Sequence, residues 1–260
     1  MTLSDKLYNK TQLLKRRLGI RGPQRYDIEG LLNPDIPPEE KTRSPVHEAF
    51  YSNTGSLVHK WQHYLPIYDR HLSRYRGTRV RFLEIGVFRG GSLRMWRKYF
   101  GDQATLFGID VDPRCRRYDG ESGSVRIGSQ ADAEFLRRVV DEMGGVDVVL
   151  DDGSHIANHQ NASFDVLFPL VSPQGTYLCE DTHTAYWRGG YEGGYRRRST
   201  FIERCKLLID DIHAEFHDKP SSVPDAHRSI SGIHFYNSII AIEKAPQSPS
   251  RSIKIGTDKE

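Results

Sequence analysis

The stretch at 79–96 constrains the fold more than any other part of the chain. It reads RVRFLEIGVFRGGSLRMW, which is a short apolar run, a glycine-rich turn and a segment with helical spacing. An apolar run bounded by glycines is typical of a parallel strand covered on both faces, and we predict that strand over 80–87. Gly86, Gly90 and Gly91 carry no Cβ, so they permit a sharp turn and the close approach of a ligand.

The segment after the turn is predicted to be a helix with Ser92 as its N-cap. Its first amide groups would then face whatever lies over the turn. Strand, glycine turn and helix together form the mononucleotide-binding corner of a doubly wound fold. We therefore predict an α/β fold with a Rossmann-like, mostly parallel sheet, although a glycine turn also serves as a plain connector between a strand and a helix.

A second predicted strand covers 105–112 and ends in acidic residues. Asp110 lies 24 residues after Gly86, and an acid roughly 20 residues beyond the turn is the group that holds the ribose of an adenine nucleoside. Phe88 stands where a G-x-G-x-x-G motif would have its second glycine, which crowds a pyrophosphate. A nucleoside without a pyrophosphate fits better, and S-adenosylmethionine is such a ligand.

The remaining pattern completes the sheet. Three further strands are predicted at 125–130, 146–153 and 175–182, and helices at 132–143, 158–170 and 201–216. Two final strands, at 230–235 and 238–244, flank Tyr236-Asn237. Such a pair predicts an antiparallel hairpin at the C-terminal side of the sheet.

The chain has three predicted parts. Residues 1–45 are an N-terminal extension, with a helix at 6–17 and a proline-rich linker at 33–41 that we expect to hold no helix. Residues 46–245 form the main domain. Residues 246–260 are rich in Ser, Pro and Lys and are predicted to be a flexible tail.

Composition excludes several classes of function. The formal charge is only +3 over 260 residues, so the arginine-rich runs at 114–117 and 196–198 predict a solvated surface and no nucleic-acid partner. Three widely spaced cysteines argue against a disulfide framework or a zinc site and favour a reducing compartment. No apolar stretch is long enough to span a membrane, and the N-terminus lacks a signal-peptide region. We predict a cytoplasmic protein.

Acidic side chains follow four of the predicted strands, where a parallel sheet binds its ligands. They are Glu84, Asp110, Asp151, Asp152, Glu180 and Asp181. The pairs after the fourth and fifth strands should be neighbours, and carboxylate oxygens suit Mg²⁺, Mn²⁺ or Ca²⁺. Asp152, Glu180 and Asp181 are the predicted metal ligands. Any single one of these acids could instead cap a helix or bind backbone amides.

His155 lies three residues beyond Asp152 in the sequence DDGSH. An imidazole titrates near neutral pH and can accept a proton beside a metal, so His155 is the predicted general base. His159 and His183 compete for that role, and a lone histidine is often only a structural hydrogen-bonding group.

Two aromatic segments have open interpretations. Residues 51–68, dense in histidine and aromatic side chains, form either a helix packed on the sheet or a lid over the nucleoside and substrate. The loop at 186–198 lies where a substrate would enter. Its Tyr186, Trp187 and Tyr191 could stack on sugar faces or form a subunit contact.

These motifs resemble those of the class I S-adenosylmethionine-dependent methyltransferases, over roughly residues 50–244. Within that class the chain is similar to the Mg-dependent sugar O-methyltransferases of macrolide-sugar and mycobacterial methylmannose polysaccharide pathways. The resemblance rests on LEIGV with GGSLRMW, GIDVDP, DDGSH with HQ, EDT and HFY. The macrolide members have additional N-terminal sequence for which this chain leaves no room, and that departure bears on its substrate and assembly.

The resemblance implies a role for each matching residue. Glu84 and Gly86 would line the methionine end of the cofactor, Asp110 its ribose and Gln130 its adenine. Asp151 and His63 are the other predicted cofactor contacts. The metal ligands Asp152, Glu180 and Asp181 would hold Mg²⁺, and His155 would be the base. The acceptor would be a sugar-containing small molecule or oligosaccharide, and the chain would be a homo-oligomer, with a dimer favoured.

Three other functions are also compatible with the sequence. The D-x-D at 110–112 is also found in metal-dependent glycosyltransferases, which bind sugar nucleotides. A hydroxylase would require iron and a co-substrate. A non-catalytic nucleoside-binding protein would need neither His155 nor the metal ligands.

Overall fold

The computed structural model describes residues 38–218 and 225–256. The chain divides into two compact units, Met1–Glu40 and Lys41–Glu260, and the whole sheet lies in the second. The helix predicted at 6–17 lies outside the described residues. The expectation that the linker holds no helix is wrong for its last residues, because Pro38–Lys41 forms one helical turn. Proline is tolerated there, since the first turn of a helix needs no amide hydrogen from it. The domain boundaries at 45 and 245 stay predictions.

The described residues form seven strands in one sheet. The strands are β1 (Arg81–Ile85), β2 (Thr105–Asp110), β3 (Ser124–Ile127), β4 (Val146–Asp151), β5 (Val171–Cys179), β6 (Ile230–Phe235) and β7 (Ile240–Lys244). Their order is β3-β2-β1-β4-β5-β7-β6. Strands β1 to β5 are parallel to one another, whereas β7 is antiparallel to both β5 and β6. The predicted doubly wound sheet with an antiparallel C-terminal hairpin is therefore confirmed.

The described residues also form α-helices. They are α1 (Pro38–Lys41), α2 (Pro45–Tyr51), α3 (Leu65–Leu72), α4 (Gly91–Phe100), α5 (Ala133–Met143), α6 (Ala157–Leu170), α7 (Phe201–Ile212) and α8 (Asp225–Ser229). One core cluster lies under α5, α6 and α7, and a second lies under α2, α3 and α4. Short 3₁₀ turns occupy Gln62–Tyr64, Ser73–Tyr75, Pro113–Tyr118, Thr182–Tyr186 and Ala214–Phe216. Within 38–218 and 225–256, no helix combines the length and the apolar character needed to cross a membrane.

The turn after β1 differs from the prediction in its cap. Gly90, with φ of 75°, is the residue that precedes α4, and no side chain caps that helix. The predicted capping role of Ser92 is wrong, because its hydroxyl instead donates to Oε2 of Glu84 at 2.7 Å. Only glycine adopts such a positive φ without strain. Because Gly90 occupies the capping position, the Ser92 hydroxyl is available to hold the buried carboxylate of Glu84.

The segment after β7 has no helix or strand as far as residue 256. The amide of Gln247 donates to the Arg228 carbonyl at 2.9 Å, and the amide of Ser250 donates to Oε2 of Glu215 at 3.2 Å. The flexibility of the whole tail stays a prediction.

Candidate active site

A cavity of about 380 Å³ lies over the carboxyl ends of β1, β2, β4 and β5. This volume falls within the range of small-molecule sites. Six of the predicted site residues line it: Gly86, Asp110, Asp152, His155, Glu180 and Asp181. Leu57 to Trp61 form its opposite wall, and Val87 to Arg89 form the glycine-turn side.

Gly86 brings β1 into contact with the end of β4. Its φ is 98°, and a Cβ on it would lie 2.1 Å from the Asp152 carbonyl oxygen. The amide of Asp152 in turn donates to the Ile85 carbonyl at 2.9 Å. Position 86 therefore tolerates no side chain, and the absence of one lets the acidic end of β4 lie directly beside the turn.

Asp110 ties the same turn to β2. Its Oδ2 accepts hydrogen bonds from the amides of Val87 and Phe88, both at 3.0 Å, and its Oδ1 accepts from the amide of Asp112 at 2.9 Å. Asp112 caps the 3₁₀ turn that follows and accepts from the amide and guanidinium of Arg114. Both acids of the D-x-D are thus engaged by neighbouring donors, and Asp110 also lines the cavity.

A buried lysine occupies the centre of the acidic rim. The Lys60 ammonium donates to Oδ2 of Asp152 at 2.6 Å and to both oxygens of Glu180 at 3.0 and 3.1 Å, and it lies 3.8 Å from Oε1 of Glu84. Burial by itself lowers the pKa of Lys60, but the three carboxylates outweigh it and raise that pKa above its ordinary value. Lys60 is therefore a fixed positive charge that offsets part of the charge on the rim.

Aromatic donors hold the two acids that follow β5. The Tyr68 hydroxyl donates to Oε1 of Glu180 at 2.6 Å. Asp181 has a left-handed backbone, with φ of 50°, and its Oδ1 accepts from the Tyr64 hydroxyl at 2.8 Å and from Nε1 of Trp61 at 3.1 Å. Burial is the first cause of the raised pKa of Glu180, the charge of Asp152 adds to it, and Lys60 opposes it.

His155 faces the oxygens that these donors leave open. Its Nε2 lies 3.6 Å from Oδ2 of Asp181 and 3.9 Å from Oδ1 of Asp152, and ligand atoms of the three residues all lie within 4.8 Å of one another. His155 adopts φ of 56°, and Thr184 Oγ1 donates to its carbonyl at 2.9 Å. Its Nδ1 is buried and has no hydrogen-bond partner among the residues described. The open carboxylate oxygens of Asp152 and Asp181 are donors that suit a hard divalent cation, and Nε2 of His155 faces them.

Four predicted cofactor residues lie outside the cavity lining. Glu84 is buried behind the turn, where it accepts from Ser92 and from Nε1 of Trp96 at 3.2 Å. Burial raises its pKa to about 7, with Lys60 opposing. The ring of His63 lies 5.9 Å from that of Trp61, and its Nε2 is 3.0 Å from the Asn237 carbonyl oxygen.

Gln130 and Asp151 form a buried pair under the end of β4. Nε2 of Gln130 donates to both oxygens of Asp151 at 3.1 Å, and Oε1 of Gln130 accepts from the Ser154 amide at 2.8 Å. Ser163 donates to Asp151 at 2.6 Å. The pair therefore fixes the loop that carries His155. Direct contact of either residue with a cofactor stays a prediction.

A line of aromatic rings leads out of the cavity. Trp61 lines the cavity, and its ring centroid lies 6.1 Å from that of His183. His183 lies 4.7 Å from Trp187, which lies 5.5 Å from Tyr191. Trp187 is 40% exposed and Tyr186 is 44% exposed. None of the three predicted acceptor residues lines the cavity, but Trp187 and Tyr191 are connected to it through His183 and Trp61.

Lys60, Tyr64 and Tyr68 were not recognised from the sequence. The packing interpretation of 51–68 agrees with residues 62–72, which pack on the sheet through Leu65 and Leu72. Residues 57–61 line the cavity, and their role as a lid stays a prediction. One sequence signal was available for the two tyrosines, since their i, i+4 spacing places both on one side of a helical segment. Lys60 precedes the helical turn that begins at Gln62, and it carries no such signal.

Comparisons with known proteins agree with this geometry. Residues 83–182 match the family model described as a methyltransferase domain. The matched segment runs from β1 to the acids after β5 and so includes the glycine turn, Asp110 and His155. Together with the fold and with the relatives and solved structures described next, this match places the chain in the class I S-adenosylmethionine-dependent methyltransferases.

The relatives belong to the branch of that class predicted from the sequence. The chain is 40% identical over 200 residues to the Streptomyces olivaceus 8-demethyl-8-(2-methoxy-alpha-L-rhamnosyl)-tetracenomycin-C 3'-O-methyltransferase, covering 72% of this chain and 50% of that protein. It is 40% identical over 212 residues to the Micromonospora griseorubida mycinamicin VI 2''-O-methyltransferase, covering 77% and 52%. The resemblance to sugar O-methyltransferases is confirmed. The chain spans about half the length of these curated relatives.

Solved structures show the same likeness. The MycE methyltransferase from the mycinamycin biosynthetic pathway, in complex with Mg and SAH, superposes with a TM-score of 0.68 at 35% identity, covering 81% of this chain and 55% of that one. A second MycE structure also contains mycinamycin VI and gives a TM-score of 0.66 at 37% identity, covering 83% and 54%.

Proposed function

We propose that this protein transfers a methyl group from S-adenosylmethionine to a sugar hydroxyl of a glycosylated small molecule, with Mg²⁺ as a second cofactor. The observation that carries the proposal is one cavity lined by Asp110 on β2 and by the open oxygens of Asp152 and Asp181 beside His155. A nucleoside site and a cation site would thus lie within one cavity.

The names of the relatives support this substrate class. One relative is named as the 3'-O-methyltransferase of a rhamnosyl-tetracenomycin, and another as a mycinamicin VI 2''-O-methyltransferase. A glycosylated small molecule is therefore a better candidate than the mycobacterial polysaccharide considered from the sequence. The predicted cofactors have the same support, since the MycE structures contain Mg and SAH.

Gly86 and Asp110 would contact the cofactor directly. The open backbone at Gly86 admits its methionine end, and Asp110 would bind its ribose. Glu84 and the Gln130–Asp151 pair would act from behind the turn and the His155 loop, because their polar atoms already bind protein donors. A cofactor contact by His63 would require it to move from the Asn237 carbonyl.

Asp152, Asp181 and Glu180 would hold Mg²⁺. Asp152 and Asp181 present oxygens toward His155, whereas both oxygens of Glu180 bind Lys60. Ligation by Glu180 therefore requires Lys60 to give up part of its contact. Bound Mg²⁺ supplies Lewis-acid polarisation of an acceptor hydroxyl, which is otherwise a poor nucleophile near neutral pH.

His155 would accept the proton of that hydroxyl at Nε2. Nε2 faces the carboxylate oxygens that would bind the cation. The loop that carries His155 is held in place by Thr184 and by the Gln130–Asp151 pair. The remaining task of the protein is to orient the hydroxyl toward the methyl group, since alignment of the reacting atoms supplies much of the rate. Trp187 and Tyr191 would hold the sugar and its carrier at the mouth. The cytoplasmic location and the dimer stay predictions.

Calorimetric titration of S-adenosylhomocysteine, with Mg²⁺ and again after chelation, tests the cofactor. Mass spectrometry of rhamnosylated polyketides incubated with S-adenosylmethionine tests the reaction. We expect micromolar binding in both calorimetric conditions and a gain of one methyl group only when Mg²⁺ is present. A nucleotide sugar that binds in place of S-adenosylhomocysteine would contradict the proposal.

A further inference from the structure

A second group of metal-ligating side chains lies away from the cavity. It consists of His71 near the end of α3, His234 on β6 and Glu243 on β7, and we call it the hairpin cluster. Ligand atoms of the three residues all lie within 4.8 Å of one another. None of the three lines the cavity over β1, β2, β4 and β5.

The distances in the hairpin cluster suit a small cation. Nδ1 of His71 lies 3.0 Å from Oε1 of Glu243, and Nε2 of His234 lies 3.6 Å from its Oε2. Metal bonds of about 2.1 Å in a tetrahedral site separate neighbouring ligand atoms by roughly 3.4 Å. The two nitrogen–oxygen distances, each to a different oxygen of Glu243, lie on either side of that separation.

One atom lacks a partner if the cluster is only a hydrogen-bond network. Nε2 of His234 is buried and makes no hydrogen bond within 38–218 and 225–256. Buried polar atoms without a partner are rare in native proteins, and a bound ion is one of the ways in which such atoms are satisfied. The nitrogen faces the Glu243 carboxylate without being close enough to bond to it.

Tyr236 completes the arrangement from the other side of His71. Its hydroxyl lies 2.9 Å from Nε2 of His71, so it can accept the proton of that nitrogen while Nδ1 is left bare as a ligand. Ligating histidines are almost always fixed in this way, with the second ring nitrogen donating to an oxygen. The rings of Tyr236 and His234 are also stacked, at 6.4 Å.

The charges around the cluster are compatible with a cation. Burial lowers the pKa of His71, whereas its hydrogen bond to Glu243 opposes that shift. Burial by itself raises the pKa of Glu243, but His71, His234 and Arg74 outweigh it and lower that pKa. Arg74 is engaged with Tyr75, Gln174 and Thr176, and Arg70 is the other nearby cation.

We propose that His71, His234 and Glu243 bind one zinc-class divalent transition metal ion, separate from the Mg²⁺ site. Two imidazoles and a carboxylate suit Zn²⁺, Co²⁺ or Ni²⁺ better than Mg²⁺. The ion links α3 to the β6–β7 hairpin across more than 160 residues of sequence. Because α3 also carries Tyr68, the link fixes a helix whose side chains reach Glu180.

Zinc titration of the full chain, without a polyhistidine tag and in excess Mg²⁺, tests this inference. We expect one equivalent of Zn²⁺ to bind and to raise the melting temperature, and one equivalent of Co²⁺ to give the visible absorption of a site with nitrogen ligands. The His234→Gln variant should bind Zn²⁺ at least tenfold more weakly. Tyr236→Phe should weaken binding by about 10- to 100-fold, the usual effect of losing an orienting partner.

Three variants separate this site from its alternatives. His63→Gln controls for histidine content and should bind Zn²⁺ normally. Asp152→Asn with Asp181→Asn removes the oxygens of the Mg²⁺ site and should also keep Zn²⁺ binding. Glu243→Gln provides a second test if His234→Gln fails to fold. Absence of Zn²⁺ binding, or binding lost only in the Asp152→Asn and Asp181→Asn variant, would overturn the proposal.

Discussion

The Nζ atom of Lys60 lies 2.6 Å from Oδ2 of Asp152, although the two residues are 92 positions apart. The ammonium also binds Glu180 and lies near Glu84. The acids after β4 and β5 are therefore held together by the protein itself, before any metal binds. Mg²⁺ would have to enter a rim whose charge is already partly offset.

Replacement of Lys60 by methionine should destabilise the metal-free protein by about 3–5 kcal/mol, because it leaves buried carboxylates without their cation. Urea unfolding measures this change. Added Mg²⁺ should raise the free energy of unfolding more in the variant than in the parent. Lys98→Met is the matched control, because Lys98 forms an exposed pair with Glu48 and should change stability by less than about 0.5 kcal/mol. Equal effects of the two substitutions would show that Lys60 does not hold the rim.

Gly86→Ala should cost at least about 3 kcal/mol and abolish cofactor binding, because overlap adds to backbone strain. The new Cβ would lie 2.1 Å from the Asp152 carbonyl oxygen. Gly77→Ala is the control for backbone strain without overlap. Gly77 has φ of 67°, and an added Cβ there would have no atom within 4 Å. This substitution should therefore lower the free energy of unfolding by only about 1–2 kcal/mol. Unfolding of both variants in urea gives the difference, and similar losses would contradict a close approach at Gly86.

His155→Ala should lower turnover by about 100- to 10,000-fold, the usual contribution of a general base. Binding of S-adenosylhomocysteine should be unchanged, since the imidazole lies at the cation side of the cavity. Steady-state rates and calorimetry give the two values. His213→Ala, which removes an exposed histidine at the end of α7, should keep full activity. Loss of cofactor affinity in His155→Ala would argue against a base role.

Glu84 should make the metal-free protein less stable as the pH rises. Burial raises its pKa from 4.5 to about 7, so between these values the folded chain holds a proton that the unfolded chain has released. The free energy of unfolding therefore falls as the pH rises through this window. In Glu84→Gln, the decrease in the free energy of unfolding across this pH window should be smaller by roughly 3 kcal/mol. Urea unfolding at about pH 5 and pH 8 measures this difference. Glu134 is exposed, so Glu134→Gln should show the same pH dependence of the free energy of unfolding as the parent.

Trp187→Ala should raise the KM of the acceptor about tenfold, equivalent to about 1.4 kcal/mol, while cofactor affinity stays the same. The aromatic line from Trp61 to Tyr191 would lose the ring that joins His183 to Tyr191. Phe216→Ala removes another exposed ring, 68% accessible and outside that line, and should leave KM unchanged. A change in cofactor affinity with unchanged acceptor KM would place Trp187 in a different role.

The sheet could be predicted because its signals are local. Apolar runs bounded by glycine and acid mark β1, β2 and β4 directly, and parallel strands bring their carboxyl ends to one edge. The acids of the cavity were found for that reason. The cap of α4 was missed because Ser92 competes between a backbone amide and the buried carboxylate of Glu84, and only the tertiary structure decides between them.

The partners of the acids could not be predicted in this way. Lys60 meets Glu180 across 120 positions, and no spacing rule links residues so far apart. The orientation of the Gln130 side chain could not be predicted either. Its position after β3 is compatible with an adenine contact, but its side-chain amide is bound to Asp151 and Ser154. Burial and hydrogen bonding of such groups depend on packing between elements rather than on the pattern within one.

The Tyr64 hydroxyl has a consequence for how the protein is made. It binds Oδ1 of Asp181 and both the carbonyl and the hydroxyl of Ser238, in the turn between β6 and β7, and the Thr182 amide donates to the same Ser238 carbonyl at 3.0 Å. Three segments that leave the ribosome at very different times meet at one oxygen. Contacts of such long sequence separation form late in folding. The nascent chain therefore has no finished acidic rim until the final hairpin has emerged, and a product of premature termination would carry the glycine turn without a working site.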